Sequence, residues 1–243
     1  MWGAYGTLVP SPRMEPTSFP AARISVFKTK FIFWIFILAC VVNGVAAREV
    51  VIADSGLTAA IREALQKPIG PWTAQDLLEL TNLDASNRQI SSVAGLEGAR
   101  NLATLKLFHN NLSRFSVPSE LTHLTALDLS FNALTNFSIP DEVTPPAMLN
   151  LADNSLVDLF FPLNLSGLTN LNIEDNGFTF FKLPSFMTKM AMLDGGFNSI
   201  TNLVVPNGIT NLQILVAAGN LLPNIVLPVA IEHLESLDLH TEP

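Results

Sequence analysis

Residues 102–154 read LATLKLFHNNLSRFSVPSELTHLTALDLSFNALTNFSIPDEVTPPAMLNLADN, and this stretch repeats itself. Asn110, Asn132 and Asn154 stand 22 residues apart, and Pro118 and Pro140 keep the same interval. Working outward, the asparagine column continues through Asn176, Asn198 and Asn220, and the proline column through Pro162, Pro184, Pro206 and Pro228. Two independent columns locked to one period over six turns exclude chance. Leu83, Leu105, Leu127, Leu149, Leu171, Leu193, Leu215 and Leu237 form a third column without exception. Two residues later come Ala85, Leu107, Leu129, Leu151, Ile173, Gly195, Ala217 and Leu239. Phe115, Phe137, Leu159, Phe181, Leu203 and Ile225 mark the far side of each turn, so the unit reads LxxLxLxxNxLxxFxLPxxLxx.

In the LxL segment alternate residues point inward, the period-2 mark of a strand. One turn cannot bury its own apolar side, whereas stacked turns share a continuous core. Each inner leucine then contributes ~1.5–3 kcal/mol by burial. Each asparagine stands where the chain leaves its strand, and its amide can donate to and accept from backbone of neighbouring turns, a structural duty. The prolines require an extended return limb. The expected fold is an α/β-type repeat solenoid with a parallel concave sheet and non-helical return limbs. It occupies residues 80–243 as about seven full turns and a final strand. Eight strands ~4.8 Å apart span roughly 35 Å.

The first end looks closed. Leu57, Ile61 and Leu65 share one face of a helix that Pro68 and Gly70 end, and Thr73-Ala74-Gln75-Asp76 is a capping-box start for a second helix running to Leu80. Residues 48–79 are therefore expected to be a helical cap. At the other end the sequence reaches only three residues beyond the eighth strand, without a polar cap, and Gly195, Ala217 and Pro146 replace bulky core residues. The C-terminal turns are expected to be the weak end, with an open edge prone to self-association.

Upstream, residues 31–42 read FIFWIFILACVV, preceded by Arg23, Lys28 and Lys30 and followed by Val45-Ala46-Ala47. A basic stretch, a short apolar core and a small-x-small site describe a secretory signal over residues 1–47. The apolar run is short for a membrane span, which needs ~20 residues. Cys40, the single cysteine, has two readings: an ordinary apolar residue of that core, or the acylated cysteine of a lipoprotein-type box at Ile37-Leu38-Ala39-Cys40. That lipid is the one membrane attachment the sequence offers. Removing residues 1–47 takes four of 13 basic residues and one of 21 acidic ones, leaving nine against 20 and a net charge of −11. Nucleic-acid binding needs phosphate-neutralising lysines and arginines, and beyond Phe115 only Lys182 and Lys189 are basic. Nucleic acid is excluded as a partner.

The LxxLxLxxNxL columns resemble the leucine-rich-repeat superfamily over residues 80–240. Residues 70–107, GPWTAQDLLELTNLDASNRQISSVAGLEGARNLATLKL, are similar to the helical cap and first repeat of bacterial internalin-type surface proteins, which also use 22-residue repeats. The FxxP half of each turn resembles repeats of large exported proteins from other environmental bacteria. No immunoglobulin-like domain or sortase motif follows, which puts host-cell adhesion in doubt. The resemblance implies an exported or cell-surface right-handed horseshoe that binds through its concave sheet. The lack of cysteine after residue 47 agrees with a bacterial source, because animal extracellular repeats usually carry cysteine-rich caps.

On the concave face, exposed aromatics beside carboxylates mark Phe108, His109, Phe131, Asp153, Glu174, Asp175 and Phe197 as the candidate recognition patch for another protein or a surface glycan. The plainer alternative is that Asp and Asn keep the sheet soluble while phenylalanines pack along the ladder. Calcium is not expected, since nothing repeats DxDxDG, and no metal or other cofactor is implied. His109 beside Ser130 or Asp128 loosely suggests a catalytic triad, but a shallow sheet excludes no water and no GxSxG or HExxH occurs, so the expectation is a non-enzyme. A structural role as an envelope spacer is the remaining alternative. Asn111-Leu112-Ser113, Asn136-Phe137-Ser138 and Asn164-Leu165-Ser166 match glycosylation acceptors.

Overall fold

The structure is a computed structural model that describes residues 50–144 and 146–240. The leader expected over residues 1–47, with Cys40, lies outside the described residues. The first described elements are the two short helices; the second begins at the capping box the sequence places, and the first at Asp54. Asp54 accepts from the Leu57 amide at 3.0 Å and starts α1 (Ser55–Ala64), which buries Leu57, Ala60 and Ile61. Its second carboxylate oxygen accepts from the Ser91 and Ser92 amides at 2.9 and 3.2 Å, tying the cap to the first repeat. Thr73 and Asp76 form the reciprocal capping box that starts α2 (Ala74–Leu77). This helix stops short of Leu80, because Glu79 and Leu80 donate to carbonyls three residues back and tighten its last turn. Trp72 locks the outer end, donating from Nε1 to the Val50 carbonyl at 2.7 Å beneath the Arg62 guanidinium.

Behind the cap lies the eight-stranded parallel sheet. Its strands are β1 (Asn82–Asp84), β2 (Thr104–Lys106), β4 (Ala126–Asp128), β6 (Met148–Asn150), β7 (Asn170–Asn172), β9 (Met192–Asp194), β11 (Ile214–Val216) and β12 (Ser236–Asp238). Each pairs with the next in a 22-residue register that aligns every leucine from Leu83 to Leu237. Leu83 to Leu215 are buried in this row, whereas Leu237 is 45% exposed, so the apolar core thins at the last described turn.

The asparagines do what the spacing predicts. Asn198 accepts from the Phe178 amide at 3.1 Å and donates to the carbonyls of Ile173 and Gly195 at 2.9 and 3.3 Å, joining its own turn to the one before. Asn110, Asn132, Asn154, Asn176 and Asn220 repeat the pattern. Asn110, Asn198 and Asn220 are buried and the other three partly so, and their amides pair backbone groups that the stacked turns shield from water. At Gly195, one of the small core residues, an added Cβ would lie 3.8 Å from Ile173 and Ile200, at ordinary contact distance, so the space left there is about that of a methyl.

The return limbs carry two short parallel ribbons and no α-helix among the described residues. One pairs β3 (Arg114–Ser116) with β5 (Asn136–Ser138); the other pairs β8 (Phe180–Lys182) with β10 (Asn202–Val204) and continues as a bridge from Val204 to Val226. Between them the fourth limb forms no strand pairing and runs into a 3-10 turn at Leu163–Gly167. Leu159 stands there in a column otherwise led by Phe115, Phe137 and Phe181. Phe161 supplies the ring instead, edge-on to Phe181 at 5.9 Å. Asn164 replaces the lost pairing by donating to the carbonyls of Pro140, Asp141 and Val143 at 3.2, 3.2 and 2.7 Å.

Candidate functional site

The concave face carries four side-chain columns, set by the period-2 geometry of the strands and by the turn that follows them. The entering column includes Thr104, Ala126, Met148, Asn170 and Met192. The next is Asp84, Lys106, Asp128, Asn150, Asn172, Asp194, Val216 and Asp238, and six of these eight have a structural task. Each Asp or Asn accepts the backbone amide two residues on, at 2.8 to 3.2 Å, and so ends its strand with an Asx turn. Solubility alone therefore does not account for this column.

The fourth column is conformationally unusual. Asn87, His109, Phe131, Asp153, Asp175, Phe197 and Gly219 all adopt left-handed backbone, with φ between 49° and 64°. Glycine and asparagine suit that region, whereas a bulky residue in it is a steric outlier. Five of the seven residues expected to form the patch stand on this column; Phe108 and Glu174 stand beside it on the third, which runs Ser86, Phe108, Ser130, Ala152, Glu174, Gly196, Ala218 and His240.

These residues form two groups, not one. Phe108 packs edge-on against Phe131 with centroids 5.2 Å apart, and His109 lies against Phe108 at 5.8 Å. Asp153, Glu174 and Asp175 make the second group, with Asp153 in hydrogen-bonding reach of Asp175. Partial burial, then the neighbouring Asp175, pushes the Asp153 carboxyl above the ordinary range. Burial, then Asp194, Asp153 and Asp175, does the same to Glu174, and burial raises Asp194. Phe197 stands beyond the acids from Phe131, and its ring lies over Gly219, where an added Cβ would come within 2.7 Å of Cδ1.

The triad-like grouping does not form. His109 Nδ1 meets Asn87 Oδ1 at 2.8 Å, while Ser130 donates to Asp128 at 2.6 Å. His123 and His233 are exposed. No three His, Cys, Asp or Glu side chains among the described residues are grouped to hold a metal ion. Of the three glycosylation-type sequons, the one at Asn164 has its amide nitrogen engaged by three carbonyls, while Asn111 and Asn136 are exposed.

A hollow lies on the opposite margin from the expected patch. About 340 Å³ of space opens over the entering column, bordered by Thr104, Ala126, Met148, Asn170 and Met192 and walled by side chains from Lys106 to Asn172. Met148 is 52% exposed at its rim. The sequence signals this only through two methionines placed where solvated residues would serve.

No protein-family model matches the sequence, and no curated protein sequence matches it either. Solved structures do. Internalin C2 of Listeria monocytogenes superposes with a TM-score of 0.62 at 22% identity, over 76% of this chain and 83% of that one. The functional domain of InlJ from the same species, which includes a cysteine ladder, gives 0.60 at 25% identity, over 77% of this chain and 46% of that one. YopM of Yersinia enterocolitica gives 0.52 at 28% identity, over 66% of this chain and 33% of that one. The chain thus spans less than half of the InlJ domain and a third of YopM. Period, register and these bacterial neighbours agree, and by fold the chain is an internalin-like leucine-rich-repeat solenoid.

Proposed function

We propose that this chain is an exported module that binds another protein through its concave face. The observation that carries the reading is the pair Phe131 and Phe197. Both rings are about half exposed, at 48% and 45%, on left-handed backbone. Such a conformation costs about 1–2 kcal/mol for a residue with a side chain. Gly219 performs the same turn without that cost, so the fold has no need of phenylalanine there. Exposed aromatics kept at a strained position are accounted for by contact with a partner. The engaged state of His109 and Ser130 assigns no catalytic chemistry to the face.

A photo-cross-linking residue in place of Phe131 or Phe197, in cells of the source organism, tests this. Adducts to one discrete protein are expected from both positions and not from Thr135 or Thr201, which are exposed on the return side. Equal labelling from both sides, or none from the concave positions, overturns the reading. Export rests on the leader-like sequence before Arg48. The intact mass of the native protein should correspond to a start at Arg48, or at an acylated Cys40 for a tethered form; retention of residues 31–42 overturns cleavage.

A further inference from the structure

We propose that the concave sheet takes an extended basic segment of its partner, with one apolar side chain seated between Met148 and Met192 and lysine or arginine side chains over Asp153, Glu174, Asp175 and Asp194. This deepens, and rests on, the reading that the concave face binds a protein.

Size speaks first. A hollow of about 340 Å³ is at the small end of binding pockets, room for side chains of an extended segment and not for a folded element. Its border is predominantly apolar, and methionine, unbranched and polarisable, moulds to whichever side chain enters. One of these methionines is already oriented by a neighbour, since Asn170 directs its amide at the Met192 sulfur at 3.7 Å. Across the strands, Ala152, Gly196 and Ala218 leave the third column low, so no side chain of theirs stands between the hollow and the outer carboxylates.

Charge speaks second. Lys106 is the single lysine or arginine on the four concave columns, against seven carboxylates at positions 84, 128, 153, 174, 175, 194 and 238. Lys106 lies at the cap end, where it acts on Asp84. Asp153, Glu174, Asp175 and Asp194 face one another farther along, with Asp238 acting on Asp194 from the last strand. Partly desolvated carboxylates that repel one another gain from an arriving cation more than solvated ones do. The hollow and this cluster share strands β6, β7 and β9, so one short segment reaches both.

The test pans a phage-displayed random dodecapeptide library on the full chain and measures the enriched peptides, made synthetically, by fluorescence anisotropy. Enriched peptides are expected to combine an apolar residue with lysine or arginine. Their affinity should fall about tenfold with Met148→Glu, with Glu174→Gln plus Asp175→Asn, and between about 50 and 500 mM salt. Met192→Gln serves as the second hollow variant, and a cooperative melt no lower than that of the unaltered chain certifies each as folded. Enrichment of acidic or purely polar peptides, no enrichment, binding only by a glycan array, or affinity indifferent to both hollow variants overturns the proposal. Peptides sensitive only to Phe131 and Phe197 substitutions sink this inference and leave the concave-face reading standing; absence of concave cross-links sinks the latter by itself.

Discussion

The two long sides of the same coil obey one 22-residue period, yet one is unbroken and the other is not. Along the concave side every strand pairs with the next from β1 to β12. Along the return side the ribbon stops after β5 and resumes at β8. The concave side is held by buried asparagine bonds, Asx turns and the leucine row, each of which fixes backbone position. The return side relies largely on apolar packing, which fixes volume but tolerates a shift in register. Period alone does not make an edge regular; directional bonds in each turn do.

Removing one such bond set should have the largest effect. Asn198→Ala leaves the buried Phe178 amide without its acceptor and takes one of two donors from each of the Ile173, Gly195 and Gly196 carbonyls. A loss of about 3 kcal/mol is expected, read as a lowered urea midpoint. On the return side Asn164→Ala should cost only about 1 kcal/mol, because its three carbonyls lie nearer solvent. Faster hydrogen exchange should follow there, confined to residues 163–168. Equal costs at the two positions would break the contrast.

Acidity gives a smaller, signed effect. The carboxyls of Asp153, Glu174 and Asp194 are raised, so the folded state holds their protons more tightly than the unfolded chain does. Their contribution is greatest in acid and fades as pH rises from the ordinary carboxylate value, about 4, through the raised ones. Asp84 and Asp54 act oppositely. Hydrogen bonds from the Ser86 hydroxyl and amide lower Asp84; partial burial would raise Asp54, but the amides of Ser91, Leu57 and Ser92 outweigh it. Their stabilisation is lost as pH falls below about 4. Melting temperature should therefore peak in mild acid, and Asp153→Asn should flatten the neutral side of the curve. Smallest of all, Gly195→Ala should stabilise by about 0.5 kcal/mol, since the added methyl meets Ile173 and Ile200 at ordinary contact distance and the unfolded chain loses freedom.

Much of the fold was legible because its determinants are chemical identities at fixed spacing: leucine rows, asparagines, and the capping box at Thr73. The left-handed column was not, although Asn87, His109, Asp153, Asp175 and Gly219 are of types that tolerate such backbone, because Phe131 and Phe197 interrupt that pattern. At the fourth return limb the period places Phe161 in the inward column before the proline and leaves Phe160 80% exposed, but nothing in the sequence marks the loss of strand pairing there. Of the candidate site, the aromatic and acidic members were readable as outward strand-end residues. Their division into two groups, and the hollow around Met148 on the other margin, depend on three-dimensional relief that alternation does not encode.

The asparagine ladder also bears on how the chain reaches this state. Bonds from Asn110 back to Ala85, and from Asn220 back to Gly195, each span 25 residues, and those to the following turn's asparagine span 20. The loop that must close is therefore the same for every turn, and its entropic cost does not grow as turns are added. Such a chain has an almost length-independent absolute contact separation and can fold by propagation, each finished turn templating its successor. With α1 and α2 built largely from local bonds, the cap end offers a ready template, and a chain emerging amino end first presents it before its repeats.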